Sequence, residues 1–118
     1  MKKPISYNYA KPPIDAASAL FDIVIFAEFM LVGYADEWEL GNAETDEDFR
    51  AAAEKISLTA EEAAYLESVL HCTWATLQSA ERHARQSDSE SFVRAVAKLK
   101  DLHEKVYRAV RTWEELRQ

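Results

Sequence analysis

The chain has one cysteine, two glycines and three prolines in 118 residues. With Cys72 alone, no disulfide can close within the chain, and the cytoplasm is the expected compartment. Two glycines cannot build a phosphate-cradling loop. So few turn formers argue against many short strands and for long helices. There is no G-x-S-x-G elbow to carry a nucleophile. No H-E-x-x-H, no E-x-x-H and no paired C-x-x-C occurs. His71, His83, His103 and Cys72 are the candidate soft ligands. His71 and Cys72 diverge by about 100° on a helix, which separates them both as metal ligands and as a Cys–His catalytic pair. Glu67 and His71 stand at i,i+4, and two ligands do not hold a metal. The expectation is no enzyme, no metal, no cofactor and no evident small-molecule substrate. Cys72 reads as a small core residue, and the histidines as surface or core-rim residues.

Positive charge is also scarce. Fourteen Lys/Arg stand against 21 Asp/Glu, a formal charge of −7. Residues 1–81 hold 5 basic and 15 acidic residues, and residues 82–118 hold 9 and 6. That balance excludes a general binder of nucleic acid, whose affinity comes from concentrated positive charge. An acidic surface suits solubility, basic protein partners or imitation of nucleic acid. No membrane span is expected either. Asp15, Asp22, Glu28 and Asp36 leave no window of about 20 apolar residues free of carboxylates. The polar, proline-containing opening is not expected to act as a signal peptide.

Hydrophobic residues make up 48% of the chain, enough for the core of one domain. The expected fold is all-α: a small bundle with an extended arm over 1–14 and a helical domain over 15–118. In the arm, MKKPISYNYAKPPI, the prolines oppose a regular helix and Ile5, Tyr7 and Tyr9 alternate. The arm is either a frayed terminus or an aromatic strap. A first helix starts near Asp15 and runs at least to Val32. Gly33 could end it, but YADEWEL can carry it to Leu40, and Gly41-Asn42 is the firmer stop. TDEDFRAAAEKI is a short second helix with Thr45 and Asp48 at capping-box spacing. Its stripe is Phe49, Ala52, Ala53 and Ile56. Thr59 and Glu62 open a third helix, with Ala63, Leu66, Leu70, Thr73, Leu77, Ala80 and Ala84 inward, widened by Val69 and Trp74. QSDSES is a turn, with Ser87 and Glu90 as a further capping box. The last helix turns Phe92, Val96, Leu99, Leu102, Val106, Val110, Trp113 and Leu116 inward. The short connection makes helices three and four an antiparallel hairpin.

ALFDIVIFAEFMLVGY, residues 19–34, is the unusual stretch. Leu20, Val24 and Leu31 cover one side of the helix, Phe21, Ile25 and Val32 a second, and Ile23, Phe26 and Met30 a third. A helix apolar all round is buried all round, yet the hairpin can cover only about half of it. Either a second protein covers the rest, a copy of the chain included, or helices two and four enclose it in a four-helix monomer. Asp22 and Glu28, about 240° apart on the wheel, belong at its rim or against basic residues of the last helix. Aromatics and Met supply most binding energy at interfaces. The candidate interface is Phe26, Phe29, Met30, Tyr34 and Trp38, joined by Tyr7 and Tyr9 of the arm. Trp74 and Trp113 read as core.

The order of a proline-rich aromatic arm (MKKPISYNYAKPPI), an apolar helix (ALFDIVIFAEFMLV), an acidic connection and a helical hairpin resembles the QslA family of small quorum-sensing anti-activators of pseudomonads. The resemblance lies in size, composition and layout, and carries over no functional residue. It implies a bacterial homodimer that binds the ligand-binding domain of a LuxR-type transcription regulator and prevents its dimerisation. A different class also fits the composition: an acidic stoichiometric inhibitor of an enzyme, such as a toxin-immunity protein or a phage-encoded nuclease inhibitor. It would use Asp36, Glu37, Glu39, Glu44, Asp46, Glu47 and Asp48 against a basic cleft. Arg94, Lys98, Lys105 and Arg108 form a basic stripe on the last helix that can pair with this acidic segment.

Overall fold

The computed structural model describes residues 16–118, with side chains from residue 22 onward. The arm, with Tyr7 and Tyr9, lies outside the described residues. Four α-helices make up the described fold, and no strand occurs among these residues. They are α1 (Ala16–Glu37), α2 (Asp46–Lys55), α3 (Ala60–Gln86) and α4 (Glu90–Leu116). The all-α bundle and its long hairpin follow the sequence pattern.

The two capping boxes close as their spacing requires. The Thr45 hydroxyl accepts from the Asp48 N–H at 3.1 Å, and the Asp48 carboxylate accepts from the N–H groups of Thr45 at 3.1 Å and Glu44 at 2.9 Å. Those bonds, Glu44's foremost, hold the Asp48 carboxyl below its ordinary range. At α3, the Thr59 hydroxyl accepts from the Glu62 N–H at 3.0 Å and the Glu62 carboxylate accepts from the Thr59 N–H at 2.8 Å. Each box satisfies backbone donors that a helix start leaves orphaned.

The expected third box does not form. Ser87 closes α3 instead, its hydroxyl donating to the His83 carbonyl at 2.9 Å, and Ser89 caps α4 without a side-chain bond. The helix ends explain this. Asp88 sits in the left-handed region at φ 58°, the Ser89 N–H reaches the Ala84 carbonyl at 3.2 Å, and the Asp88 N–H reaches Arg85 at 3.2 Å. This is a Schellman closure, and it consumes the turn. α1 ends the same way. Glu39 has φ 56°, the Leu40 N–H bonds the Ala35 carbonyl at 2.8 Å, and the Glu39 N–H bonds Asp36 at 3.2 Å. The helix therefore passes through Gly33 and stops before Gly41, because Leu40 and Ala35 are buried together by that closure.

α4 is the hub: α1, α2 and α3 all pack on it, and α1 also lies on α3. The α3–α4 register is antiparallel, since Glu67 faces Arg111, Leu70 faces His103, and Glu81 faces Lys100. The core joins Leu31, Leu40, Phe49, Leu66, Leu70, Leu77, Val96, Leu99, Val106, Val110 and Trp113. α2 packs on α4, and among the described residues it makes no packing contact with α1, so it does not enclose that part of the first helix.

Several core assignments change. Cys72 is exposed and Leu116 is on the surface at the end of its helix. Trp74, Thr73, Val69, Phe92 and Leu102 are only half-buried. His103, by contrast, is 5% exposed. It is tolerated there because its Nε2–H donates to the Leu70 carbonyl at 2.7 Å. Among the described residues no helix is long and apolar enough to cross a membrane.

Candidate protein interface on the first helix

α1 presents one thin stripe to the hairpin. Val24, Ala27, Leu31, Ala35 and Trp38 are buried, at spacings of three and four. Three of these five are not long side chains of the apolar run, and the bulk of the run points elsewhere. Phe26 is 71% exposed and Phe29 is 77% exposed. On the wheel they stand opposite the buried stripe. Ile23 on one flank and Ile25 and Val32 on the other are also exposed. Asp22 lies one turn before Phe26 on this open face, and both Asp22 and Glu28 are exposed. α1 from Ala16 to Glu37 holds no basic residue.

The open face continues onto α3. Ile23, Phe26 and Ala27 meet Val69, Cys72 and Thr76 across a shallow groove of about 270 Å³ that Ser68 and Thr73 also line. Two hydroxyls are turned back into the helix: Thr73 Oγ1 donates to the Val69 carbonyl at 2.8 Å and Thr76 Oγ1 to Cys72 at 3.1 Å. With their donors satisfied, these threonines leave the groove little to offer but apolar surface. Tyr65, also exposed, sits on the same α3 stripe as Ser68, Cys72 and Thr76.

The candidate residues divide accordingly. Phe26 and Phe29 lie on the open apolar face. Met30 and Tyr34 are half-buried at its edge and pack against the core. Trp38 does not belong to it. It is 8% exposed, and its ring lies tilted by 44° against Tyr34 with centroids 4.8 Å apart. Trp38 continues the buried stripe three residues beyond Ala35, its N–H still bonded to the Tyr34 carbonyl at 2.9 Å, and the Schellman turn at Glu39 then takes Leu40 into the core. Ile23, Ile25, Val32 and the α3 wall were not among the anchors expected from sequence. Their composition differs little from that of core residues, and only the placement of neighbours separates the two.

The seven acids of residues 36–48 are all exposed. Three are engaged within the protein. Asp46 pairs with Arg108, Glu39 lies 4.0 Å from Lys55, and Asp48 caps α2. Arg108 also lies over the Phe49 ring, and Lys105 Nζ donates to the Gly41 carbonyl at 2.9 Å. Part of the basic stripe thus anchors the acidic connection, while Arg94 pairs with Glu90 along its own helix at 3.8 Å. Among the described residues no three His, Cys, Asp or Glu side chains are grouped to hold a metal ion.

Among the described residues, α1 has the core on one side and an exposed apolar face on the other. No family model, curated protein or solved structure matches the chain.

Proposed function

We propose that this protein is a non-enzymatic anti-activator: it binds a transcription regulator of LuxR type through the open face of α1 and blocks the regulator's self-association surface. In its free state the same face pairs two copies as a homodimer. The observation that supports this reading is the exposure of Phe26 and Phe29. Each ring offers on the order of 150–250 Å². With Ile23, Ile25 and Val32 the patch reaches roughly 500 Å², the upper range for a monomer's largest apolar patch. A stable interface takes about 800 Å² per partner. The groove on α3 and a rim around the patch supply the difference. The rim is acidic on α1, so the fitting partner surface is apolar with Lys or Arg at its edge. The layout resemblance supplies the class of regulator.

The test is co-expression with a LuxR-type regulator, followed by capture at low salt and at about 0.5 M salt, where charge screening acts within a few ångströms. Retention at high salt, loss of the regulator's dimer and release by Phe26→Asp support the proposal. A regulator that stays dimeric and uncaptured overturns it. The acidic enzyme inhibitor is the second reading. It rests on the exposed acids of residues 36–48 and is weakened by the engagement of Asp46, Glu39 and Asp48 within the fold. Capture of a nuclease or toxin only at low salt would favour it.

A further inference from the structure

A second recess opens between α3 and α4, away from the groove on α1. His71 and Trp74 line it from α3, and His103, Glu104 and Tyr107 from α4; it encloses about 200 Å³. Helical spacing builds it, with His71 and Trp74 at i,i+3 and His103 and Tyr107 at i,i+4. The rings form a continuous wall. Trp74 and His103 are 5.2 Å apart between centroids, His103 and Tyr107 lie near parallel at 6.3 Å, and His71 meets Tyr107 edge-on at 5.9 Å. A recess this small suits a head group rather than a drug-sized molecule.

The charge character of the wall selects the head group. Aromatic faces are negative, and Trp is the strongest of them toward a cation. The Trp74 indole already attracts one: Lys100 Nζ lies 4.9 Å from its centroid. Lys100 does not line the recess, and Glu81 balances its charge at 3.1 Å. No Lys or Arg is among the lining residues, and Glu104 contributes an exposed carboxylate. His103 contributes its ring to the wall, held in place by the Nε2–H that donates to the Leu70 carbonyl at 2.7 Å. An anion would be repelled by Glu104 and the ring faces. A neutral apolar group would leave the carboxylate unused. A cation is attracted both by the ring faces and by the Glu104 carboxylate.

We propose that this recess binds a small alkylammonium head group, held by the Trp74 and Tyr107 rings and by the Glu104 carboxylate. Choline and a methylated lysine side chain present the same chemistry. This site is independent of the α1 interface and stands or falls separately from it.

The test is a two-dimensional NMR titration of the isotope-labelled full chain with choline chloride. Sodium chloride at matched ionic strength and 3,3-dimethyl-1-butanol, the uncharged carbon isostere of choline, serve as references. Choline is expected to shift the Trp74 indole N–H and the Glu104 and Tyr107 amides saturably, with the isostere about tenfold weaker. Trp74→Leu is expected to abolish the effect. Glu104→Gln changes an exposed residue, leaves folding intact by circular dichroism, and is expected to weaken choline several-fold. Tighter binding of trimethyl-lysine amide than of choline assigns the head group to a protein side chain, and weaker binding assigns it to a free quaternary ammonium compound. Equal binding of choline and its isostere, no saturable shift with choline, or full affinity in Glu104→Gln would overturn the proposal.

Discussion

Replacing Phe26 and Phe29 together by serine separates the two roles an apolar residue can have. About three-quarters of each ring is outside the core, at 71% and 77% exposure. Taking about 200 Å² per ring and about 25 cal/mol per Å², folding recovers roughly 1 kcal/mol from each. Serine and phenylalanine differ little in helix propensity. The double variant is therefore expected to lose about 2–3 kcal/mol of folding stability. The exposed remainder, roughly 150 Å² per ring, holds about 4 kcal/mol per ring that only a partner can recover. Even half of that total would weaken binding more than about a hundredfold. Guanidinium unfolding followed by circular dichroism measures the first quantity, at a concentration where both proteins are monomeric. Sedimentation velocity and regulator capture measure the second. Met30→Asp is the contrast, because Met30 packs against the core and its loss affects folding as well. A folding loss above about 4 kcal/mol in the double variant would show that the rings are core residues. Binding unchanged within a few-fold would remove α1 from the interface.

Trp38→Ala is expected to cost about 3–5 kcal/mol of stability, read from the unfolding midpoint, because the side chain is buried. Asp88→Gly is expected to stabilise by about 0.5–1 kcal/mol, since Asp88 holds φ 58° and glycine adopts that conformation without a Cβ penalty. Gly33→Ala in the exposed middle of α1 is expected to stabilise by close to 1 kcal/mol, as a Cβ there meets nothing within 4 Å. The acid range carries two opposed slopes. Burial first, then the hydrogen bond and charge of Glu67, raise the Glu114 carboxyl above its ordinary 4.5, so its contribution is full below that value and is lost as pH rises through the folded-state pKa. Lys100, through its hydrogen bond, lowers Glu81, whose contribution is present above 4.5 and is lost as pH falls through its folded-state pKa. Thermal melts across pH are expected to show Glu114→Gln removing the loss on the rising side, with the Glu81 loss at low pH retained.

The helices and their starts were legible because they rest on local chemistry. Thr45 and Asp48, and Thr59 and Glu62, close boxes whose partners are three residues apart, and the hairpin follows from a 3,4 repeat and a short turn. The helix ends were less legible. Both Schellman closures place an acidic residue, Glu39 or Asp88, where glycine is expected, and that strain is offset by the burial of neighbours such as Leu40 and Ala35. Periodicity also misassigned Cys72, Leu116 and His103. One helix face can be read from spacing, but its depth depends on what packs against it.

The open face of α1 shows the division most clearly. Sequence alone determined that this helix is apolar all round, with Asp22 and Glu28 set into it, and that a hairpin could cover only part of it. It could not determine which part. That choice was made when α2 docked on α4 instead of α1, and when the hairpin took the stripe of Val24, Ala27, Leu31, Ala35 and Trp38 as its contact. Those contacts join residues far apart in the chain, where no local pattern records the pairing. The aromatic recess has the same origin. His71 and Trp74 are ordinary members of one helix, His103 and Tyr107 of another, and only the antiparallel register of α3 and α4 places their rings around one space.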